Sequence, residues 1–435
     1  MQNVVLVPGT MGSILKTPSG DEIWPPTAAE TQLGYNRVNE LLRSDLVVGD
    51  IIRKVLCFGV YKPLIEQLND IGFKETGSGK RLHIFPYDWR KDIEGTADLL
   101  AQRIEKTVNE GATSVTIVAH SMGGLLARLV LESGKYDSKP WFKKITSFMA
   151  LATPHLGAPL ALARILGMDS TLGISAADFR KIASDRRYPS GYQLLPAPGE
   201  AACWDIGSTE LQSLDIYDAT VAGKLGLDTQ LLARARFVHD TLAKGKPPMQ
   251  TRYFYFAGTG HKTTTRINVT GAERRMTRSD DAGDGTVPMW SALPKSGQKQ
   301  LVPGEHASFF TDTTFKAVFY RLLGKSFPTP PLGAAPSARL SVQSIVIKKT
   351  DEIELLLVPS APMRKIAGKL VIERADEADK PFTPFGAPVS VAYEGPATPW
   401  LKLHLPPTAQ PGLFNIRFDG NPAGSGPALF AVSET

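Results

Sequence analysis

Short apolar runs alternate with segments of helical spacing through the first 325 positions of the chain. Residues 3–7 read as a buried strand that stops at Pro8-Gly9. Residues 61–71 read as an amphipathic helix closed by Gly72. A strand at 81–85, a helix at 95–108 and a β-branched strand at 114–119 follow, and residues 125–131 continue as helix. Residues 145–152 and 252–257 are further strands, and 311–323 is a last helix. Nearly continuous apolar strands that alternate with helices predict a mostly parallel sheet covered on both faces. Between 155 and 246 no clear strand run is seen, and residues 160–168 are apolar almost all round. An insertion of that length over a sheet, about 155–250, predicts a lid or pocket wall, with a satellite helical layer as the plain alternative.

The pattern changes after a stretch rich in Pro, Gly and Ser, 326–337, which reads as a linker. Seven strand-like runs follow, at 339–347, 353–359, 365–373, 389–393, 400–405, 413–418 and 428–432. Turn signals separate them, and Leu401 to Leu405 alternates apolar with polar. The prediction is a catalytic domain over 1–325 and a small immunoglobulin-like β-sandwich over 338–435. The sandwich carries no grouping that suggests chemistry, so recruitment of a protein partner or surface is expected of it, with a structural cover as the alternative. His404 alternates with Leu403 and Leu405 and is expected to face outward.

Ser121 lies in Ala119-His120-Ser121-Met122-Gly123, between the strand SVTIVA and the helix GLLARLVLES. A serine on a sharp strand-to-helix turn, with small residues two before and two after, is the context of a nucleophile elbow. The fold class that follows is α/β-hydrolase with a lid insertion. In that fold the acid and the histidine follow the serine in chain order. Asp284, in GDGTVP, is the acid candidate, and only His306 and His404 lie beyond it. His404 belongs to the β-rich tail, so His306 is the expected base. Asp280 and Asp281 are competing acids, and together with Asp284 they suggest a calcium loop, though without regular ligand spacing. A serine hydroxyl needs a neutral imidazole to take its proton, and a carboxylate to hold the imidazole tautomer. The oxyanion donors expected are the backbone N–H groups of Met122 and Thr10, with Met11 second to Thr10. His120 adjoins the nucleophile and is expected to be structural.

These motifs resemble the lecithin:cholesterol acyltransferase family. The resemblance lies in VVLVPGTMGSIL at 4–15, FPYDWR at 85–90, AHSMGG at 119–124, LATPHLGAP at 151–159, GDGTVP at 283–288 and the His306 segment, in the family's order. It implies a lidded α/β-hydrolase that acts on acyl esters of lipids by ping-pong acyl transfer. It also implies Ser121, Asp284 and His306 as the triad, Thr10 and Met122 as oxyanion donors, and a buried Asp88–Arg90 pair bracing the loop near the site. The chain departs from the family in lacking the disulfide pattern of secreted members and in adding the β-rich tail. Water and an alcohol are both open as acyl acceptor. A catalytically inactive scaffold for lipid or protein binding is the alternative of another class, and a missing triad member would signal it.

Composition narrows the setting. Forty-nine basic residues against 43 acidic ones leave a formal charge of +6. That surplus favours an anionic surface such as membrane lipid, or is simply a basic solvated surface. No clustered basic stripe points to nucleic acid. The two cysteines, Cys57 and Cys203, exclude a disulfide-dense scaffold and are expected as buried free thiols. No Cys/His cluster calls for zinc, and no cofactor is expected. No apolar run reaches the ~18 residues of a membrane span. The opening residues run straight into the first strand without a signal peptide, so a cytoplasmic location is expected, with leaderless export as the alternative.

Overall fold

A computed structural model describes residues 1–55, 58–294, 296–328, 335–377 and 380–434. Its centre is a sheet of β1 (Gln2–Val7), β2 (Arg81–Ile84), β3 (Ser114–His120), β4 (Ile145–Leu151), β5 (Arg252–Thr259) and β6 (Gln298–Pro303). The strand order is β6-β5-β4-β3-β1-β2, and every neighbouring pair is parallel. Helices cover both faces, which is why the strands read as apolar runs rather than alternations. Val5, Val7 and Ile117 pack with Leu100, Ile104 and Leu126 on one face. Val4, Leu6 and Val118 pack with Leu64, Leu68 and Phe319 on the other. This is the open parallel sheet of an α/β-hydrolase, with loops gathered at the carboxyl ends of its strands.

The insertion differs from the expectation in two respects. It contains short strands, Cys203–Asp205 and Gln212–Ser213. Cys203–Asp205 pairs in parallel with Ile267–Val269 of a long hairpin, His261–Thr270 with Glu273–Gly283. Thr and Arg dominate this hairpin, so it offers no apolar run to read. The apolar segment 160–168 also has its own cover: Leu160, Leu162 and Ile165 pack with Leu195, Leu225, Leu231 and Ile267 in a core of the cap. Cys203 is a buried free thiol in that core, whereas Cys57 lies outside the described residues. Among the described residues no helix is long and apolar enough to cross a membrane.

Residues 337–433 fold as two facing sheets that share one core of Leu340, Leu355, Leu357, Leu370, Phe414, Ile416 and Phe430. The run 339–347, read as one strand, is broken. Ser337–Val342 belongs to the first sheet and Val346–Lys348 to the second, so the chain crosses between sheets at 343–345. The sandwich is docked on the α/β domain. Lys262 pairs with Glu354 at 3.2 Å, Asp281 with Lys402 at 2.9 Å and Asp312 with Arg339 at 3.2 Å. Part of the linker, 329–334, lies outside the described residues. His404 is exposed on its strand.

The Asp88–Arg90 pair is bidentate, with Nε to Oδ1 at 2.8 Å and Nη2 to Oδ2 at 2.7 Å. Arg90 Nη1 also donates to the carbonyls of Leu41 and Arg43. Its guanidinium stacks 4.4 Å from the Tyr188 ring of the cap. One buried cation thus joins the FPYDWR loop, the segment before the Val47–Ile51 strand and the cap. Removing one member of such a pair leaves a buried charge uncompensated. Arg90→Ala should lower the unfolding free energy by about 3–5 kcal/mol in a denaturant titration; a wild-type midpoint would show that the pair braces nothing.

Candidate active site

The site forms where β1, β3, β5 and β6 end. Ser121 follows β3 with φ 54° and ψ −128°, a left-handed conformation that a non-glycine residue adopts only under restraint. Its N–H donates to the Leu151 carbonyl at 2.8 Å. The glycines around it are dictated by close approach. A Cβ on Gly123 would lie 2.4 Å from the Pro8 carbonyl oxygen, and one on Gly124 would lie 1.9 Å from Thr153 Oγ1. The crowding partners are therefore the loops after β1 and β4, rather than the strand of the elbow itself. Ala119 is fully buried, and its small volume suffices two residues before the serine.

Ser121, His306 and Asp284 come together from three separate segments. His306 Nε2 lies 2.9 Å from Ser121 Oγ, and its Nδ1 lies 2.8 Å from Asp284 Oδ2. Asp284 is fully buried, yet its other oxygen accepts the N–H groups of Thr286 at 3.0 Å and Val287 at 2.7 Å. The His306 N–H donates to the Asp284 carbonyl at 3.0 Å, so backbone and side chain both fix the pair. Burial disfavours a charged His306, but the Asp284 charge and hydrogen bond outweigh it and hold the imidazole pKa above the ordinary histidine value of 6.5. Neither Asp280 nor Asp281 approaches His306; Asp281 pairs with Lys402.

His120 is turned away from Ser121. Its Nε2 donates to the His306 carbonyl at 3.0 Å, and its Nδ1 accepts the Tyr61 hydroxyl at 2.7 Å. Tyr61 in turn accepts the Gly9 N–H at 2.7 Å. Burial pulls the His120 pKa down to about 3, so the ring is neutral. Sequence reasoning gave His120 a structural role but gave no signal for Tyr61, whose hydroxyl ties the loop after β1 to the loop of His306. Glu305, beside His306, was also missed; burial raises its carboxyl pKa to about 7.

The N–H groups of Thr10 and Met122 donate to no acceptor among the described residues. Thr10 Oγ1 donates to Met122 Sδ at 3.3 Å, which holds the two backbones together beside Ser121. Met11 adopts φ 61°, and its carbonyl accepts the Trp24 indole N–H at 2.9 Å. A cavity of about 380 Å³ opens on Ser121 and His306. Its walls include Trp24 and Trp89, Leu160, Ile165 and Phe179 of the cap, and Val346 of the sandwich. The size is that of a small-molecule pocket, and the lining mixes these apolar side chains with charged ones such as Arg164, Asp169, Lys262 and Arg278.

Residues 41–220 match the lecithin:cholesterol acyltransferase family model, a span that holds Asp88, Arg90, Ser121 and the first part of the cap. The chain is 23% identical over 350 residues to lecithin-cholesterol acyltransferase-like 4 of Arabidopsis thaliana, covering 67% of this chain and 63% of that protein. It is 23% identical over 298 residues to a putative phospholipid:diacylglycerol acyltransferase 2 of the same plant, covering 59% of this chain and 44% of that protein. The chain therefore spans less than two thirds of the length of each of these relatives. Among solved structures, the Tle4–Tli4 complex aligns at a TM-score of 0.48 and 14% identity, over 74% of this chain and 98% of that one. Over residues 41–220 the chain is thus similar to the lecithin:cholesterol acyltransferase family, and its similarity to the two plant relatives points the same way.

Proposed function

We propose that this chain is a serine-dependent hydrolase or acyltransferase of lipid acyl esters that works through an acyl-enzyme on Ser121. The observation that carries the reading is the hydrogen-bonded series Ser121–His306–Asp284, set beside the backbone N–H groups of Thr10 and Met122, which have no acceptor among the described residues, at a cavity partly walled by apolar side chains. In the first half-reaction Ser121 Oγ attacks the ester carbonyl carbon while His306 Nε2 takes its proton. The N–H groups of Thr10 and Met122 face the developing oxyanion. As the tetrahedral adduct collapses, the acyl–oxygen bond breaks and His306 returns the proton to the leaving alcohol. In the second half-reaction water or another alcohol gives its proton to His306 and attacks the acyl carbon; the acyl–Ser121 Oγ bond then breaks, His306 returns the proton to Oγ, and acid or a new ester leaves. Asp284 holds the imidazole in place and stabilises the imidazolium.

Ser121→Ala should lower turnover on the scale of ~10⁶-fold and abolish labelling by a fluorophosphonate probe while the protein stays folded. Labelling that persists in the variant would refute the nucleophile. Asp284→Asn should cripple activity, whereas Asp281→Asn, which loses only a surface ion pair, should leave it near wild type; the reverse result would reassign the acid. The base must be neutral to act, so kcat/KM should fall as pH drops through the raised pKa of His306. The acid limb should therefore have its midpoint above about 6.5, and a midpoint below that value would contradict the Asp284 coupling. Mass spectrometry of products from mixed phospholipids, with and without an added alcohol, separates the acceptors: free fatty acid alone marks a hydrolase, and a new ester marks acyl transfer.

A further inference from the structure

The strand Ser337–Val342 alternates strictly between two faces. Ala338, Leu340 and Val342 point into the core of the sandwich, so Arg339 and Ser341 point the other way. That second face is turned to the α/β domain, and Ser341 is buried there. The Ser341 hydroxyl oxygen accepts the Glu305 N–H at 3.2 Å and lies 3.0 Å from Nε2 of His261. Burial lowers the His261 pKa to about 4, so that ring is neutral. Arg339 Nη2 donates to the Pro303 carbonyl at 2.6 Å and contacts the Asp312 carboxylate at 3.2 Å. Pro303 ends β6, and Asp312 caps the helix Thr313–Leu322 by accepting the Thr314 N–H at 2.7 Å. Arg339 therefore bridges the two ends of the segment that carries His306, and Ser341 holds the residue immediately before it. The acid loop is abutted as well: a Cβ on Gly285 would lie 3.1 Å from the Gln343 carbonyl oxygen.

We propose that Arg339 and Ser341 are positioning residues of the reaction, and that the sandwich completes the active site by fixing the loop that presents His306. The proposal rests on the acyl-enzyme reading above. His306 must keep Nε2 on Ser121 and Nδ1 on Asp284 at once, and a loop clamped at both ends and at Glu305 satisfies that demand. A displacement of about 1 Å at such a site costs about 10²-fold in rate. The other contacts between the domains, such as Lys402 with Asp281, lie away from the His306 segment and supply the control.

The test uses the full-length protein and a soluble p-nitrophenyl ester, so that lipid binding plays no part. Ser341→Ala, Arg339→Met and Lys402→Met are compared for kcat, KM, the acid limb of kcat/KM, the rate of fluorophosphonate labelling, and thermal melting. The first two variants should lose about 10–10²-fold in kcat and in labelling rate, with KM within about twofold. Their acid limb should move down in pH, because a loosened His306 loses part of its coupling to Asp284. Lys402→Met should match wild type. Folded Ser341→Ala and Arg339→Met proteins with wild-type kcat and an unmoved acid limb would overturn the proposal. Should Arg339→Met fail to fold, Ser341→Ala, which removes no charge, decides alone. A wild type that the probe does not label would instead refute the acyl-enzyme reading, independently of these residues.

Discussion

The arrangement hangs on one crowded crossing. At the end of β3 the backbone turns through a left-handed serine into a helix, and the loop after β1 passes so close that Gly9 and Gly123 have no room for a side chain. Strain of this kind costs on the order of 1–3 kcal/mol and persists only where the surroundings over-determine it. Here the surroundings are the middle of the sheet. β3 sits between β1 and β4, its residues are buried on both faces, and the helix Met122–Glu132 is buried along nearly its whole length. The same crossing sets the Met122 N–H beside the Thr10 N–H, so one constraint places both the hydroxyl and its two backbone neighbours.

Around that point the electrostatics are divided among residues of unlike environment. Asp284 is buried but spends one oxygen on two backbone N–H groups and the other on His306, and its charge raises the His306 pKa. His120, one ring away, has no carboxylate partner, and burial keeps it neutral at any working pH. Two adjacent histidines thus differ in role because one faces a carboxylate and the other faces a hydroxyl and a carbonyl. Tyr61 and His120 carry hydrogen bonds from the loop after β1 to the loop of His306, which makes those two loops one mechanical unit.

The features legible in the sequence are those whose cause is local. The elbow declares itself because strand, sharp turn and helix are consecutive, and the order of serine, acid and histidine then narrows the candidates to Asp284 and His306, which the structure brings to Ser121. The sheet strands are legible because burial on both faces leaves no polar position. The hairpin His261–Gly283 is not, since Thr and Arg fill it: Thr263 and Thr264 are buried without being apolar, Arg266, Arg275 and Arg278 stay exposed, and neither strand offers an apolar run. The break at 343–345 is equally silent: two apolar stretches meet there, and only the pairing of each with a different sheet separates them. The docking of the sandwich has no local cause at all. Ser341 meets Glu305 across 36 residues and His261 across 80, and neither residue type at those positions announces its partner.

The polar face of Ser337–Val342 bears on modularity. A sandwich that follows a Pro-rich segment has the outward form of an exchangeable unit, free to be shuffled onto other enzymes. Its inner face says otherwise. Were it replaced by another β-sandwich, the Asp312 carboxylate, the Glu305 N–H and the Pro303 carbonyl would each lose a partner in a place water reaches poorly, and each such buried orphan costs about 1–3 kcal/mol. The two folds are therefore bound to change together: a graft succeeds only where the incoming strand repeats an arginine and a hydroxyl at alternate positions on the face it turns to the histidine loop.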